Sequence, residues 1–184
     1  MIAPEVVETE RLRLRQFRDD DLDAYAALCG DPVVMKWLHD PMDRPQSAAQ
    51  ITAFREHWSE HGFGLWCVTV PADDTCLGFV GLAVPRFAPE LLPAVEVGWR
   101  LAHDEWGRGY ATEGARAAVD VAFGALALDH LISITRIENR RSWHVMEKLG
   151  MTFERNAVHA ERGTDLIVYG LDAPTWTERI GRMA

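Results

Sequence analysis

Apolar and polar positions change period several times along the chain. From Arg11 to Phe17 they alternate, with Leu12 and Leu14 on one face and Arg11, Arg13 and Arg15 on the other, which predicts a half-buried strand. Asp19, Asp20 and Asp21 then offer N-caps to a helix whose Leu22, Tyr25, Ala26 and Cys29 fall at helical spacing, closed by Gly30. Val33 to Leu38 predicts a short second helix or turn, and Asp40 to Pro45 a loop. Helical spacing returns over Gln46–Glu60, where Ile51, Phe54 and Trp58 share a face, and Gly62 and Gly64 end it.

Leu65–Val70 and Cys76–Val84 are strand-like runs joined by Pro71-Ala-Asp-Asp-Thr, the pattern of a hairpin. A proline-bearing connection, Pro85 to Pro93, leads to a strand at Val95. From Ala111 a helix places Ala111, Ala115, Ala118, Val119, Ala122, Phe123 and Leu126 on one stripe, small enough for close packing on a sheet. Leu131–Thr135 reads as a strand, Ser142–Leu149 as a helix stopped by Gly150, and Thr152–Val158 with Asp165–Leu171 as a closing hairpin. This order predicts a single α+β domain over residues 1–184, with a mostly antiparallel sheet of about seven strands and helices on both faces. At least one parallel pair of strands crosses over through the Ala111 helix.

Composition narrows the class without naming a function. A net charge of −9 argues against a nucleic-acid-binding body, which normally shows a basic face, and is compatible with cationic acceptors. Cys29, Cys67 and Cys76 lack metal-like spacing and read as buried free thiols of a reducing compartment. No apolar run approaches the ~18 residues of a membrane span, and no basic-then-apolar leader opens the chain, so a cytoplasmic protein without membrane contact is expected.

Chemistry concentrates between Val95 and Gly114. A strand there passes through a turn carrying Gly107 and Gly109 into the alanine-rich helix. Glycines at a helix N-terminus let backbone N–H groups converge, and the helix dipole adds partial positive charge, so the turn suits a phosphate. It is neither a Rossmann fingerprint, since Thr112 stands where GxGxxG needs a third glycine, nor a P-loop, since no Gly-Lys-Ser/Thr follows.

The wider string Trp106-Gly-Arg-Gly109-Tyr-Ala111 resembles the acetyl-CoA pyrophosphate loop of the GNAT N-acetyltransferases, R/Q-x-x-G-x-G/A, with Trp106 departing at the first position. Its continuation is close to a signature of the RimJ/RimL-like branch. Glu8-Thr-Glu-Arg-Leu-Arg-Leu-Arg, Leu77-Gly-Phe-Val-Gly-Leu and Asn139-Arg-Arg-Ser142-Trp-His-Val-Met-Glu-Lys-Leu-Gly-Met151 resemble further family blocks in the right order. The resemblance implies a V-shaped opening between the fourth and fifth strands, at Val95–Ala102 and Leu131–Thr135. Trp106, Gly107, Arg108, Gly109, Tyr110, Ala111 and Thr112 would cradle the pyrophosphate of acetyl-CoA, and backbone groups of Trp99 and Leu101 would bond its pantetheine arm. Asn139 matches a residue reaching the pantetheine or acetyl region, although it also suits a helix cap. Arg136, Arg140 and Arg141 could meet the 3′-phosphate or form a solvated patch.

Direct transfer of an acetyl group needs a neutral amine and a proton for the departing thiolate. At pH 7 an α-amine of pKa near 8 is neutral in roughly a tenth of molecules, a lysine-like amine in fewer than about one in a thousand. A general base is therefore valuable. Glu96, between Val95 and Val97, is the expected base, partial burial raising its pKa; its plain alternative is a surface ion pair. Where many family members carry a proton-donating Tyr, this chain has Met146, which leaves Ser142 or water as the donor. Trp37 and Trp66 are candidate acceptor-lining residues or ordinary core. His57-Trp-Ser-Glu60-His61 matches H-x-x-E-H, but its residues fall on the polar side of their helix, so a solvated or pocket-lining face is expected and no metal. The resemblance thus implies an acetyl-CoA-dependent N-acetyltransferase, its acceptor the N-terminal amine of a protein or peptide. A polyamine or aminoglycoside acetyltransferase and a non-catalytic acyl-CoA sensor are the alternatives. Homodimers are frequent in the family.

Overall fold

Strands and helices in the computed structural model, which describes residues 1–181, follow the sequence periods closely. The strands are β1 (Val6–Glu8), β2 (Arg13–Arg15), β3 (Leu65–Thr69), β4 (Gly78–Ala83), β5 (Glu96–Leu101), β6 (His130–Thr135), β7 (Thr152–Val158) and β8 (Asp165–Asp172). The helices are α1 (Leu22–Gly30), α2 (Pro32–Met35), α3 (Arg44–His61), α4 (Tyr110–Phe123), α5 (Arg140–Leu149) and α6 (Ala173–Gly181). All eight strands form one sheet in the order β1-β2-β3-β4-β5-β6-β8-β7, antiparallel except for β5 against β6. The expected α+β class, and the parallel pair linked through the alanine-rich helix, are both present. The eighth strand is Val6–Glu8, too short to leave a period of its own.

Burial explains the layers. Val80, Val97 and Leu101 project from the sheet onto Ala115, Ala118, Val119 and Ala122 of α4, whose small side chains allow close approach. Met146 and Leu149 of α5 and Trp176 of α6 complete that core, and Trp176 Nε1 donates to Asp120 of α4. On the opposite face Cys67 and Phe79 meet Tyr25, Leu28 and Cys29 of α1 and Ile51 of α3. All three cysteines are buried and free. Among the described residues no helix is long and apolar enough to cross a membrane.

Two local expectations change. Arg15 is not on a solvated strand face: it is 2% exposed, and its Nη1 and Nη2 each lie 2.7 Å from the two carboxylate oxygens of Asp21. Asp21 consequently caps nothing with its side chain at the start of α1; residues Asp19–Asp21 form a 3₁₀ turn instead. The regular strand also shortens to Arg13–Arg15, because Thr9 and Arg11 turn away to α4.

Candidate active site

β5 and β6 stay in register only at Glu96↔Ile132, where Ile132 N–H bonds Val95 O at 3.0 Å. Beyond that pair the parallel pairing stops and the two strands form the arms of an opening. Alternation of backbone direction decides what faces it. Leu82 N–H bonds Gly64 O on the β3 side, so Glu96, Gly98 and Arg100 turn their backbone groups to β4. Val97, Trp99 and Leu101 turn theirs to the opening. The backbone groups of both residues expected to meet a pantetheine arm thus face the opening, although Leu101 O already accepts Trp106 Nε1 at 2.9 Å, leaving its N–H.

Glu96 stands at the vertex. Its side chain shares a sheet face with Arg100 and with Ile132, opposite the face that packs on α4. Its carboxyl accepts the N–H of Ile134, a donor that β5 no longer satisfies. Burial pushes this carboxyl up to about 8, against the weaker opposing effect of that hydrogen bond. Among the described residues it forms no ion pair with an arginine. Near neutral pH such a group exchanges a proton readily, the property a general base needs.

The glycine turn takes the shape its residues dictate. Gly107 and Gly109 have φ of 80° and 84°, a left-handed region that costs other residues ~1–2 kcal/mol. Gly109 is the N-cap of α4 and brings no side-chain cap, whereas Asp43 caps α3 by accepting Gln46 N–H. Glu113 N–H reaches Gly109 O, but Tyr110, Ala111 and Thr112 precede the first intrahelical bond, so their N–H groups are free for an anion. The sequence reading missed what anchors this turn. Arg11 Nε and Nη2 grip Glu113 Oε2 at 2.7 and 2.6 Å, Nη1 donates to Arg108 O at 2.9 Å, and Thr9 Oγ1 donates to Glu113 Oε1. Burial alone would raise the Glu113 carboxyl, but the Thr9 and Arg11 hydrogen bonds outweigh it and hold the group below its usual range. An acid in the first turn of a helix expected to meet a phosphate is itself a signal, because left unpaired it would repel such a ligand.

On the far side of the opening, Asn139 occupies the N-cap position of α5 without capping it: its Nδ2 donates to Thr135 Oγ1 on β6 at 3.0 Å. Ser142 lies in the first turn, half-buried, and its hydroxyl has no hydrogen-bond partner among the described residues. Met146 is fully buried in the core. Arg141 stacks over Trp106, its Cζ 4.5 Å from the ring centroid, tying the start of α5 to the glycine turn, and Arg140 lies over Trp143. Arg136 leaves this cluster for another place.

That place is a groove of about 910 Å³ between the α2–α3 region and the ends of β6 and the β7–β8 turn, with Lys36, His39, Gln50, Arg136 and Arg162 in its lining. Trp37 is a neighbour, half-buried, with Lys36 Nζ 4.5 Å from its ring. Trp66 does not join them. It is fully buried between sheet and helices against Trp58, its Nε1 bonded to Pro4 O, and is a core residue rather than an acceptor-lining one. The H-x-x-E-H residues also differ from a solvated face. His57 is locked, Nδ1 at 2.9 Å from Phe63 O and Nε2 accepting Val84 N–H at 3.1 Å, while Glu60 and His61 meet Arg86. Both ring nitrogens of His57 are therefore committed to backbone groups.

With this geometry in place, comparison with known proteins is direct. The model of the acetyltransferase (GNAT) domain matches residues 11–152. The uncharacterized N-acetyltransferase p20 of Bacillus licheniformis is 26% identical over 152 residues, covering 82% of this chain and 84% of that protein. The crystal structure of an acetyltransferase from Agrobacterium tumefaciens str. C58 superposes with a TM-score of 0.79 at 29% identity, over 93% of this chain and 96% of the other. A Vibrio cholerae protein described as a ribosomal-protein-serine acetyltransferase shares the fold, with a TM-score of 0.74 at 20% identity over 94% and 99% of the two chains. The chain belongs to the GNAT superfamily of acyl-CoA-dependent N-acetyltransferases, in its RimJ/RimL-like family.

Proposed function

We propose that this enzyme transfers the acetyl group of acetyl-CoA to the α-amine at the N-terminus of a protein or peptide, by direct attack of the amine on the thioester. The cosubstrate supplies the activated acetyl group; the chain supplies binding and proton handling. The uncapped start of α4, from Trp106 to Thr112, would hold the pyrophosphate, and the free backbone groups of Trp99 and Leu101 the pantetheine arm, with Asn139 beside it. Glu96 would take the ammonium proton, and the unpartnered Ser142 hydroxyl would donate a hydrogen bond to the departing thiolate, with water as the alternative donor. No metal enters this chemistry.

The observation that carries the reading is the Glu96 carboxyl at the vertex of the opening, pushed up to about 8. A base of that pKa takes a proton from an α-amine of pKa about 8 at almost no cost, whereas a lysine-like amine near 10.4 costs about 3 kcal/mol more. That ~3 kcal/mol is a difference between the amines themselves, the same for any base, and makes an α-amine the easier acceptor to deprotonate near neutral pH. The Vibrio cholerae neighbour, described as acting on a ribosomal protein, supports the same acceptor class at the level of fold. Thiol release from acetyl-CoA, followed with a panel of α-amine peptides, polyamines and aminoglycosides, tests the proposal. Turnover is expected on the peptides and lost at least about 100-fold in Glu96→Gln. Acetyl-CoA binding without turnover on every amine would favour a sensor instead.

A further inference from the structure

The groove beside Trp37 inverts the charge of the molecule that contains it. The chain has 28 acidic against 19 basic side chains, and many of its arginines meet a carboxylate: Arg11 with Glu113, Arg15 with Asp21, Arg55 with Asp19, Arg86 with Glu60. The cations of the groove do not. Lys36 rests on the Trp37 ring and Arg162 Nη1 donates to Leu38 O at 2.6 Å, while the Arg136 side chain makes no hydrogen bond or ion pair among the described residues. Arg100, reached through Gln50 of the lining, has only neutral partners: Gln50 Oε1 at 3.1 Å, Tyr25 OH at 3.4 Å, Cys29 Sγ and the Phe79 ring. Its buried Nε has no hydrogen-bond partner among the described residues. Asp40 is the sole acid among the groove's lining residues. These charges act on one another: burial first, then Arg100 and Arg162, push the His39 imidazole below its usual range.

A guanidinium removed from water without a counter-ion keeps an uncompensated charge that hydrogen bonds to neutral partners only partly offset. Several such cations around one cavity raise a positive potential that attracts anions. Their placement sets a distance. Arg100, on β5 and on the Glu96 face of the sheet, and Arg136, one residue past the end of β6, each lie four positions beyond the Glu96↔Ile132 pair. Each therefore stands about 13 Å along its arm from the proposed base, at ~3.3 Å per residue. Their long side chains shorten the gap to the length of two or three extended peptide residues.

We propose that the acceptor is an amine bearing a carboxylate two or three residues from its reacting nitrogen, a peptide N-terminus with an acidic side chain at its second or third position, held by Arg100, Arg136 and Arg162. This rests on the α-amine acetyltransferase reading above and deepens it. Polycationic acceptors are disfavoured by the same charges, despite the acidic molecule as a whole.

Matched peptides with a free N-terminus and Glu, Gln or Lys at the third position test it, alongside free aspartate and glutamate. In the thiol-release assay kcat/KM is expected to fall at least tenfold from Glu to Gln and further to Lys. Arg136→Gln and Arg162→Gln should each narrow the Glu-to-Gln ratio at least threefold, and 0.5 M salt should narrow it in the wild type. A preference for free aspartate or glutamate over the peptides would overturn the peptide part, and equal rates, or a preference for Lys, the whole proposal. Calorimetric titration of the same peptides into the CoA-loaded protein separates this from the catalytic reading. Tighter binding of the Glu peptide that depends on Arg162 supports the anion site even if no thiol is released; equal binding of all three removes it.

Discussion

The carboxyl of Glu96 titrates near pH 8 because burial strips its hydration, and only the N–H of Ile134 favours the charged form. Two consequences follow at the scale of this residue. Its folded-state pKa of about 8 lies above the ordinary 4.5, so the stabilisation from keeping it neutral is complete below pH 4.5 and is lost as pH rises through 8. Thermal melts from pH 5 to pH 9 should show Glu96→Gln gaining on the wild type by a few kcal/mol as pH rises. A constant difference between the two proteins would contradict the assignment. Catalysis should run the other way: kcat/KM rises through pH 8 as the base loses its proton. Because the acceptor amine titrates nearby, repeating the profile with amines of shifted pKa assigns the limb, and Glu96→Gln should retain only the amine's own limb. Gly109 is the second residue of this kind. With φ of 84° and Arg11 Nη2 only 3.3 Å from where a Cβ would stand, Gly109→Ala should cost ~1–2 kcal/mol and raise KM for acetyl-CoA about tenfold, with kcat little changed. A KM within twofold of wild type would mean that the left-handed turn does not set the cradle.

Among elements, α4 is held by its first turn from outside the helix. The segment from Thr9 to Arg11 ends β2's approach by wrapping onto Glu113 and the Arg108 carbonyl, so the N-terminal strand and the glycine turn form one unit. The pair is only partly shielded, with Arg11 46% and Glu113 17% exposed at the side chain, and its worth lies in positioning more than in stability. Arg11→Ala and Glu113→Gln should each raise KM for acetyl-CoA about three- to tenfold and leave kcat within about twofold. The double variant should be no worse than the worse single one, since both remove the same clamp. Additive losses would show that the two residues act independently. β5 works as a second such element by dividing its labour between faces. Val97 and Leu101 go to the α4 core, while Glu96 and Arg100 go to the opposite face of the sheet, and the backbone left unpaired by β6 lies between them.

For the molecule as a whole, the buried Arg15–Asp21 pair joins the N-terminal sheet to the α1 layer, and Arg15 also reaches Asp74 in the β3–β4 hairpin. Asp21 hydrogen bonding, with help from Asp74, raises the Arg15 pKa further against burial, so the charge stays. Removing one partner leaves the other charged and dry. Asp21→Ala should therefore cost about 3–5 kcal/mol in urea unfolding, whereas replacing both partners with apolar residues of similar volume should cost much less. Equal costs for the single and double replacements would show that packing, not the charge, dominates. The acid-rich surface and the cation-lined groove also coexist only at this scale: net charge describes solubility, and the groove describes recognition.

Much of this was determined by the sequence alone. Hydrophobic period located all strands but Val6–Glu8 and all helices but Ala173–Gly181, and the glycine turn before an alanine-rich stripe marked the proposed phosphate site, because backbone conformation and amphipathic packing are local properties. Glu96 was legible as a charge placed within a strand. Other features depended on contacts that no local pattern encodes. Burial of Arg15, the grip of Arg11 on Glu113 and the pairing of Trp66 with Trp58 each join residues from separate elements. So does the escape of Arg136 from its sequence neighbours Arg140 and Arg141, since it follows β6 out along one arm of the opening while they begin α5. Whether an arginine meets a carboxylate or lines a groove is decided by which elements are brought side by side, and only the folded chain does that.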